Sequence, residues 1–346
     1  MKNKEDIDPE KYYENEQNLN TDEIKQGWNR IELKKQKVDI YYPYDFGAYN
    51  AKTEGTIFIF LALVIPFIFT VILSMFGMSH NSNLQLTNIV IALISAAIAF
   101  MIIFTRQGKL IWTSGAFIFY MFIAIPIVTS LFSALVILII GLNSNDENYQ
   151  FNLSLISILI QTIMEIILIV FGLVYTKNLS KKLLETFKTS WKLLLICVPI
   201  GILILYFIPD FIFTFLLGKL WPASGESSDN QNTLVDLISG VGFKKVIGII
   251  ALFAFSVLVA PLCEELSTRH AWFLSCGNRW TGWITSAIYF GYMHVSQTGD
   301  FTHIIAYFAS GLCLATFFNI SRGNVTYNWL IHMGYNLLTF ILMLVL

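Results

Sequence analysis

Residues 246–274 read VIGIIALFAFSVLVAPLCEELSTRHAWFL. The first 18 positions, Val246 to Cys263, carry no charge; two carboxylates and an arginine follow within the next six. An uncharged run of about 18 residues can cross the hydrocarbon core of a bilayer as a helix. At 29 residues the stretch exceeds the ~20 that a span needs, so tilt, a kink or an interfacial turn is expected.

Working outward, runs of the same kind lie near 56–78, 86–105, 113–142, 151–175, 192–218, 280–297, 301–320 and 324–346. The third of these is also over-long, and Pro126, Pro199 and Pro209 mark natural kink points. The reading is an all-α, polytopic transmembrane helical bundle of about eight or nine spans. Composition agrees: 55% of residues are hydrophobic and 13% charged, with a mean hydropathy of +0.64. Soluble domains carry roughly 25% charged residues. Residues 1–54 hold 9 Lys/Arg and 12 Asp/Glu, which leaves 24 charges for the other 292 positions. No soluble surface can be covered so sparsely, so lipid is the expected solvent.

A net charge of −1 offers no basic face to phosphates, which argues against nucleic acid. Cys197, Cys263, Cys276 and Cys313 have no paired spacing and read as small buried hydrophobes. The N-terminus is polar for over fifty residues, so the first apolar helix is expected to serve as its own insertion signal. Residues 1–37 suit a solvated tail. Tyr41, Tyr42, Tyr44, Phe46 and Tyr49 are expected at the headgroup level as an interfacial anchor. Arg106 and Lys109, and the lysines between 177 and 192, alternate with the loops 79–85 and 143–150, which lack Lys and Arg. By the positive-inside rule the N-terminus is cytoplasmic, the loop 219–245 is outside, and the chain is a multi-pass protein of the cell membrane.

Ionisable groups inside a span cost about 2.5–3.5 kcal/mol each and are functional candidates by default. They are Glu165, Asp210, Glu264, Glu265, Arg269, His294 and His332, with His303 near an end. Glu165 can line a pathway or hold a neighbouring helix, and Asp210 follows Pro209 at an expected helix break. Glu265 and Arg269 stand at i, i+4 and can neutralise one another. Glu264, about 100° away around the helix, projects elsewhere and can serve as a general base. His294 lies as far after the turn at Arg279 as Glu264 lies before it, roughly 22 Å along each helix. A hairpin therefore puts the two at one depth. Phe290, one turn before His294, can wall the site; His332 and Asn336 share one face of the last helix.

Glu-Glu-x-x-x-Arg at 264–269, Phe-x-x-x-His at 290–294 and His-x-x-x-Asn at 332–336 resemble, in order, the three motifs of the CAAX protease and bacteriocin-processing (CPBP, or Abi) family. The resemblance covers residues 246–346, under a third of the chain. It implies a helical membrane bundle with an active site within the bilayer, and peptide-bond hydrolysis by water. Glu264 and His294 would activate the water, His332 and Asn336 would form the oxyanion hole, and Glu265, Arg269 and Phe290 would shape the site. Two positions depart from many relatives: His270 stands where a small glycine follows the motif arginine, and Thr268 where a bulky aromatic precedes it.

The chain divides into a cytoplasmic tail with its aromatic segment (1–54), N-terminal membrane helices (55–245) and a catalytic core (246–346). Glu264, His294 and His332 would also make a His₂Glu zinc set. No His-Glu-x-x-His helix is present, and a metal-free glutamate-type mechanism without cofactor is the favoured expectation. The expected partner is a membrane-associated peptide or protein in the lipid bilayer: a prenylated tail, a bacteriocin or pheromone precursor, or a membrane regulator. The competing reading is a non-enzymatic scaffold, regulator or bacteriocin-immunity protein on the same fold. A transporter using Glu165 and Asp210 would call for inverted repeats, and none is visible.

Overall fold

The computed structural model describes residues 37–143, 145, 148–209 and 235–345, all within the unit Lys34–Leu346. Expectations about the tail 1–36, Asp210 and positions 219–234 fall outside these residues. Among the described residues every element is helical and none is a strand.

Among the described residues, eight helices are long and apolar enough to cross a membrane. They are α1 (Ala51–Met75), α2 (Ser82–Ser114), α3 (Phe117–Ile140), α4 (Tyr149–Tyr175), α5 (Leu179–Phe207), α6 (Phe243–Cys276), α8 (Phe301–Ile320) and α9 (Val325–Val345). Between α6 and α8 lies α7 (Arg279–Val295), whose 17 residues are slightly short of a full span. Large apolar side chains such as Met75, Leu138, Ile139 and Val174 stay exposed on the outer faces, as lipid-facing positions do. The polar groups turn inward instead. Thr70 donates to Asn88 Oδ1 and contacts Tyr292 Oη, and Asn88 donates to Ser296 O, which ties α1 and α2 to α7.

Helix ends follow local chemistry. Asn81 and Asn278 cap α2 and α7 by accepting from the first free backbone N–H groups. Gly115 (φ +90°), Gly141 and Gly277 take left-handed conformations after α2, α3 and α6. The run 113–142 looked over-long because it contains the Gly115 break between α2 and α3. The fifth span differs more: the expected 192–218 begins at Leu179. Lys182, within that helix, is buried with its ammonium 3.9 Å from Asp39 Oδ1, and it donates to Gly323 O at 3.4 Å. A cation satisfied by protein does not end an apolar helix. Arg106 likewise sits within α2, 2.8 Å from Glu54 Oε1, next to a kink at Gln107 (φ −139°, ψ 34°), so the expected connection at 106–109 is a break in helical geometry inside α2.

The aromatic segment is held by protein contacts. Tyr44, Phe46 and Tyr49 pack against protein, with Tyr49 only 2% exposed. Tyr44 Oη donates to His270 O at 2.6 Å, and its ring meets those of His270 and Phe318 edge-on. Phe46 packs on Phe273 and Phe318. Glycines make this docking possible. A Cβ on Gly277 would stand 2.2 Å from Tyr49 O, and one on Gly323 2.3 Å from the Tyr44 ring. Gly277 also has φ +61°, so Gly277→Ala is both strained and blocked. The variant is expected to lose more than about 1 kcal/mol of stability. Thermal unfolding of detergent-solubilised protein reads this; an unchanged midpoint would show that the segment is not held there.

Candidate active site

Helix α6 carries the first motif between two irregular stretches. Phe253–Val259 and Leu266–Ala271 are π-helical, and Ala260–Glu265 between them is regular. Such bulges re-aim the side chains that follow and recur at functional sites. The first has a visible cause in the sequence. Ala260 N–H bonds to Phe255 O, and Pro261, the next donor along, has no N–H. The Ser256 carbonyl is thereby freed from the helix ladder. Asn336 of α9 answers it, donating from Nδ2 at 2.8 Å. One of the two Asn336 amide hydrogens is committed in this way, and one remains.

Glu265 and Arg269 form the buried ion pair expected from their spacing, with Nε–Oε2 at 3.5 Å and both side chains 0% exposed. Four further side chains complete the cluster. Asn328 Nδ2 donates to Glu265 Oε2 (3.1 Å) and to Leu314 O (2.6 Å). Arg269 Nη1 donates to Thr268 Oγ1 (2.5 Å) and Ser286 Oγ (3.3 Å), so Thr268 supplies an acceptor that an aromatic could not. The Phe290 ring lies 4.7 Å from the guanidinium centre. His270 is accounted for separately: its Nε2 is 3.0 Å from Ser114 O, where α2 breaks.

His332 stands between the two glutamates. Nδ1 is 3.1 Å from Glu265 Oε1, and Nε2 is 3.8 Å from Glu264 Oε2. A carboxylate at Nδ1 fixes the ring's orientation and favours a proton on that nitrogen, which points Nε2 at Glu264. Glu264 is set apart from Arg269 as expected, and its Oε2 has no hydrogen-bond partner. His294 enters through aromatic contacts. It stacks on Tyr307 (4.5 Å, 18°) and meets Phe290 edge-on at 4.8 Å, while Phe290 is 5.9 Å from His332. Phe290 thus touches both histidines and the arginine. The structure brings Glu264 closest to His332; no ion-pair contact joins Glu264 to His294 among the described residues.

The arrangement offers an unpartnered carboxylate oxygen, an imidazole oriented by a second carboxylate, and a side-chain amide on the same helix face as that imidazole. These are the parts of a general-base hydrolytic site. They do not gather as a metal centre: among the described residues no three His, Cys, Asp or Glu side chains converge to hold an ion. Sequence reasoning missed Asn328, Ser286 and Tyr307. Asn328 was within reach, because it lies one turn before His332 on the face that continues to Asn336. Ser286 and Tyr307 gave no signal, since serine and tyrosine are common in apolar helices.

Residues 246–338 match the family described as type II CAAX prenyl endopeptidase Rce1-like. An uncharacterized protein of Mycoplasma capricolum subsp. capricolum is 32% identical over 325 residues, covering 90% of this chain and 93% of its own length. No solved structure matches the chain. The matched segment begins within α6, ends within α9 and contains all three motifs, so the chain belongs to the Rce1-like family of CAAX proteases, the CPBP family.

Proposed function

We propose that the protein is an intramembrane endopeptidase that hydrolyses a peptide bond in a membrane-associated peptide or protein. The observation that carries this reading is His332 held between Glu264 and Glu265, in a site that lipid would otherwise exclude. In the proposed reaction a water molecule bound beside Glu264 and His294 loses a proton to Glu264 and attacks the scissile carbonyl. The developing oxyanion accepts from the free amide hydrogen of Asn336 and, when His332 carries both protons, from its Nε2–H. Glu264 then returns the proton to the leaving nitrogen. Glu265, Arg269 and Phe290 hold these groups in place without touching the substrate.

The catalytic core on this reading is 246–346, set on membrane helices 55–245, with the segment 1–54 on the cytoplasmic side of the cell membrane. Partners are lipid and a peptide or protein substrate, with no nucleic acid. Membrane peptides from cells carrying the wild-type protein, compared with those from cells carrying Glu264→Gln, test the reading. A species that accumulates uncleaved only with the variant supports it, and identical peptide profiles defeat it.

The proposed mechanism uses no metal or other cofactor, and no step is routed through one. Cleavage by the purified protein is therefore expected to survive prolonged chelation. Stoichiometric zinc together with chelator-sensitive activity would overturn that expectation.

A further inference from the structure

Tyr307 lies on α8, and no step above uses it. Its ring stacks on His294 of α7, with centroids 4.5 Å apart and planes 18° from parallel. Phe290 meets the same imidazole edge-on at 4.8 Å, with the planes 70° apart. Aromatic groups prefer offset stacking or edge contact, and His294 receives one of each. Among the described residues no hydrogen bond or ion pair reaches either His294 nitrogen, so its orientation is set by these rings. His332 differs, because Glu265 Oε1 holds its Nδ1 at 3.1 Å.

Close backbone contact explains how a side chain from α8 reaches this imidazole. A Cβ on Gly291 would stand 3.0 Å from Phe308 N and 3.1 Å from Ile304 O. One on Gly311 would stand 2.9 Å from Ala287 O. The two helices therefore touch along their backbones at two levels and run antiparallel. Tyr307 directly precedes Phe308 at the first level, and His294 lies about one turn beyond Gly291. With the axes so close, the two flat side chains that leave this crossing lie face to face.

A histidine ring turns about its Cα–Cβ and Cβ–Cγ bonds unless its surroundings select one rotamer. A parallel ring on one face selects the plane. A half-turn about Cβ–Cγ keeps that plane, so stacking fixes where the nitrogens lie without choosing between them. We infer that Tyr307 is the positioning residue of His294, holding the imidazole plane by ring stacking so that a nitrogen meets the water bound beside Glu264. The ring face does this, and the hydroxyl is not required. The use of the stack in catalysis rests on His294 acting in the proposed hydrolysis; the stack itself does not.

Proton NMR of the purified full-length protein, with its histidines carbon-13-labelled, tests the stack at one pH without any substrate. The chain has five histidines, and His294→Gln identifies the signal. The face of an aromatic ring shields protons lying over it. The His294 ring protons are therefore expected upfield in the wild type and in Tyr307→Phe, and at the position of an unstacked imidazole in Tyr307→Leu. One position in all three proteins would overturn the proposal. In the activity arm, Tyr307→Leu is expected to lower kcat about ten- to hundred-fold, with KM unchanged and equal amounts of folded protein. Tyr307→Phe keeps the ring face and recovers most of that loss. Full activity in Tyr307→Leu, or no recovery in Tyr307→Phe, would also overturn it. If Tyr307→Leu does not fold, Tyr307→Met, which fills the space without a ring, takes its place. If the wild type cleaves nothing, the peptidase reading fails while the NMR comparison still decides the stack.

Discussion

Glu264→Gln is expected to abolish cleavage while leaving the amount of folded protein in the membrane unchanged. The first half follows from removing the group that accepts the proton of water, a loss of about 10²–10⁴-fold for a general base. The second follows from what Glu264 does not hold. Its Oε2 has no hydrogen-bond partner, and the Arg269 guanidinium is paired with its neighbour Glu265. Glutamine has nearly the same shape, so the packing around position 264 survives. Cleavage rates normalised to folded protein check this; a variant keeping more than about a tenth of wild-type activity would remove Glu264 from the chemistry.

Glu265→Leu has the opposite profile. It leaves Arg269, 0% exposed, without its counter-ion, and it deprives His332 Nδ1 and Asn328 Nδ2 of their acceptor. Removing one member of a buried ion pair costs about 3–5 kcal/mol. Little folded protein is expected from this variant. Glu265→Leu combined with Arg269→Leu removes both charges, and such apolar replacements are often neutral for folding. The double variant should therefore recover folded protein but not cleavage, because nothing then orients His332. Membrane yield and activity, measured side by side, separate the two roles. Recovery of activity along with folding would mean that Glu265 serves stability alone.

The contrast between adjacent glutamates was legible in the sequence, since helical geometry sends Glu265 toward Arg269 and Glu264 elsewhere. So were the apolar spans and the Phe290 wall. Helix starts were less legible where a charge finds a protein partner, as Lys182 does with Asp39 and Gly323, because hydropathy counts every lysine as solvated. The equal-depth argument for Glu264 and His294 concerned one hairpin and left out the contact of Glu264 with His332. His332 approaches from α9, and a two-helix estimate carries no information about a third helix. The packing of the aromatic segment was illegible for a related reason: composition locates tyrosines near a membrane boundary but not the glycines at 277 and 323 that open a seat for them. Asn336 shows a third limit. Its bond to Ser256 O depends on Pro261 lacking an N–H 75 residues away, a relation that motif spacing cannot express.

The seat for Tyr44 also sets the timing of assembly during synthesis. Tyr44 and the His270 carbonyl it bonds are 226 residues apart. At about 5–20 residues per second the early segment emerges roughly 10–45 s before its acceptor exists. Through that interval its aromatic side chains have no place in the bundle, and Phe318 and Gly323 arrive later still. A later-made part of the chain is thus completed by a strip made earlier, so this face of the enzyme cannot close until synthesis has passed Gly323.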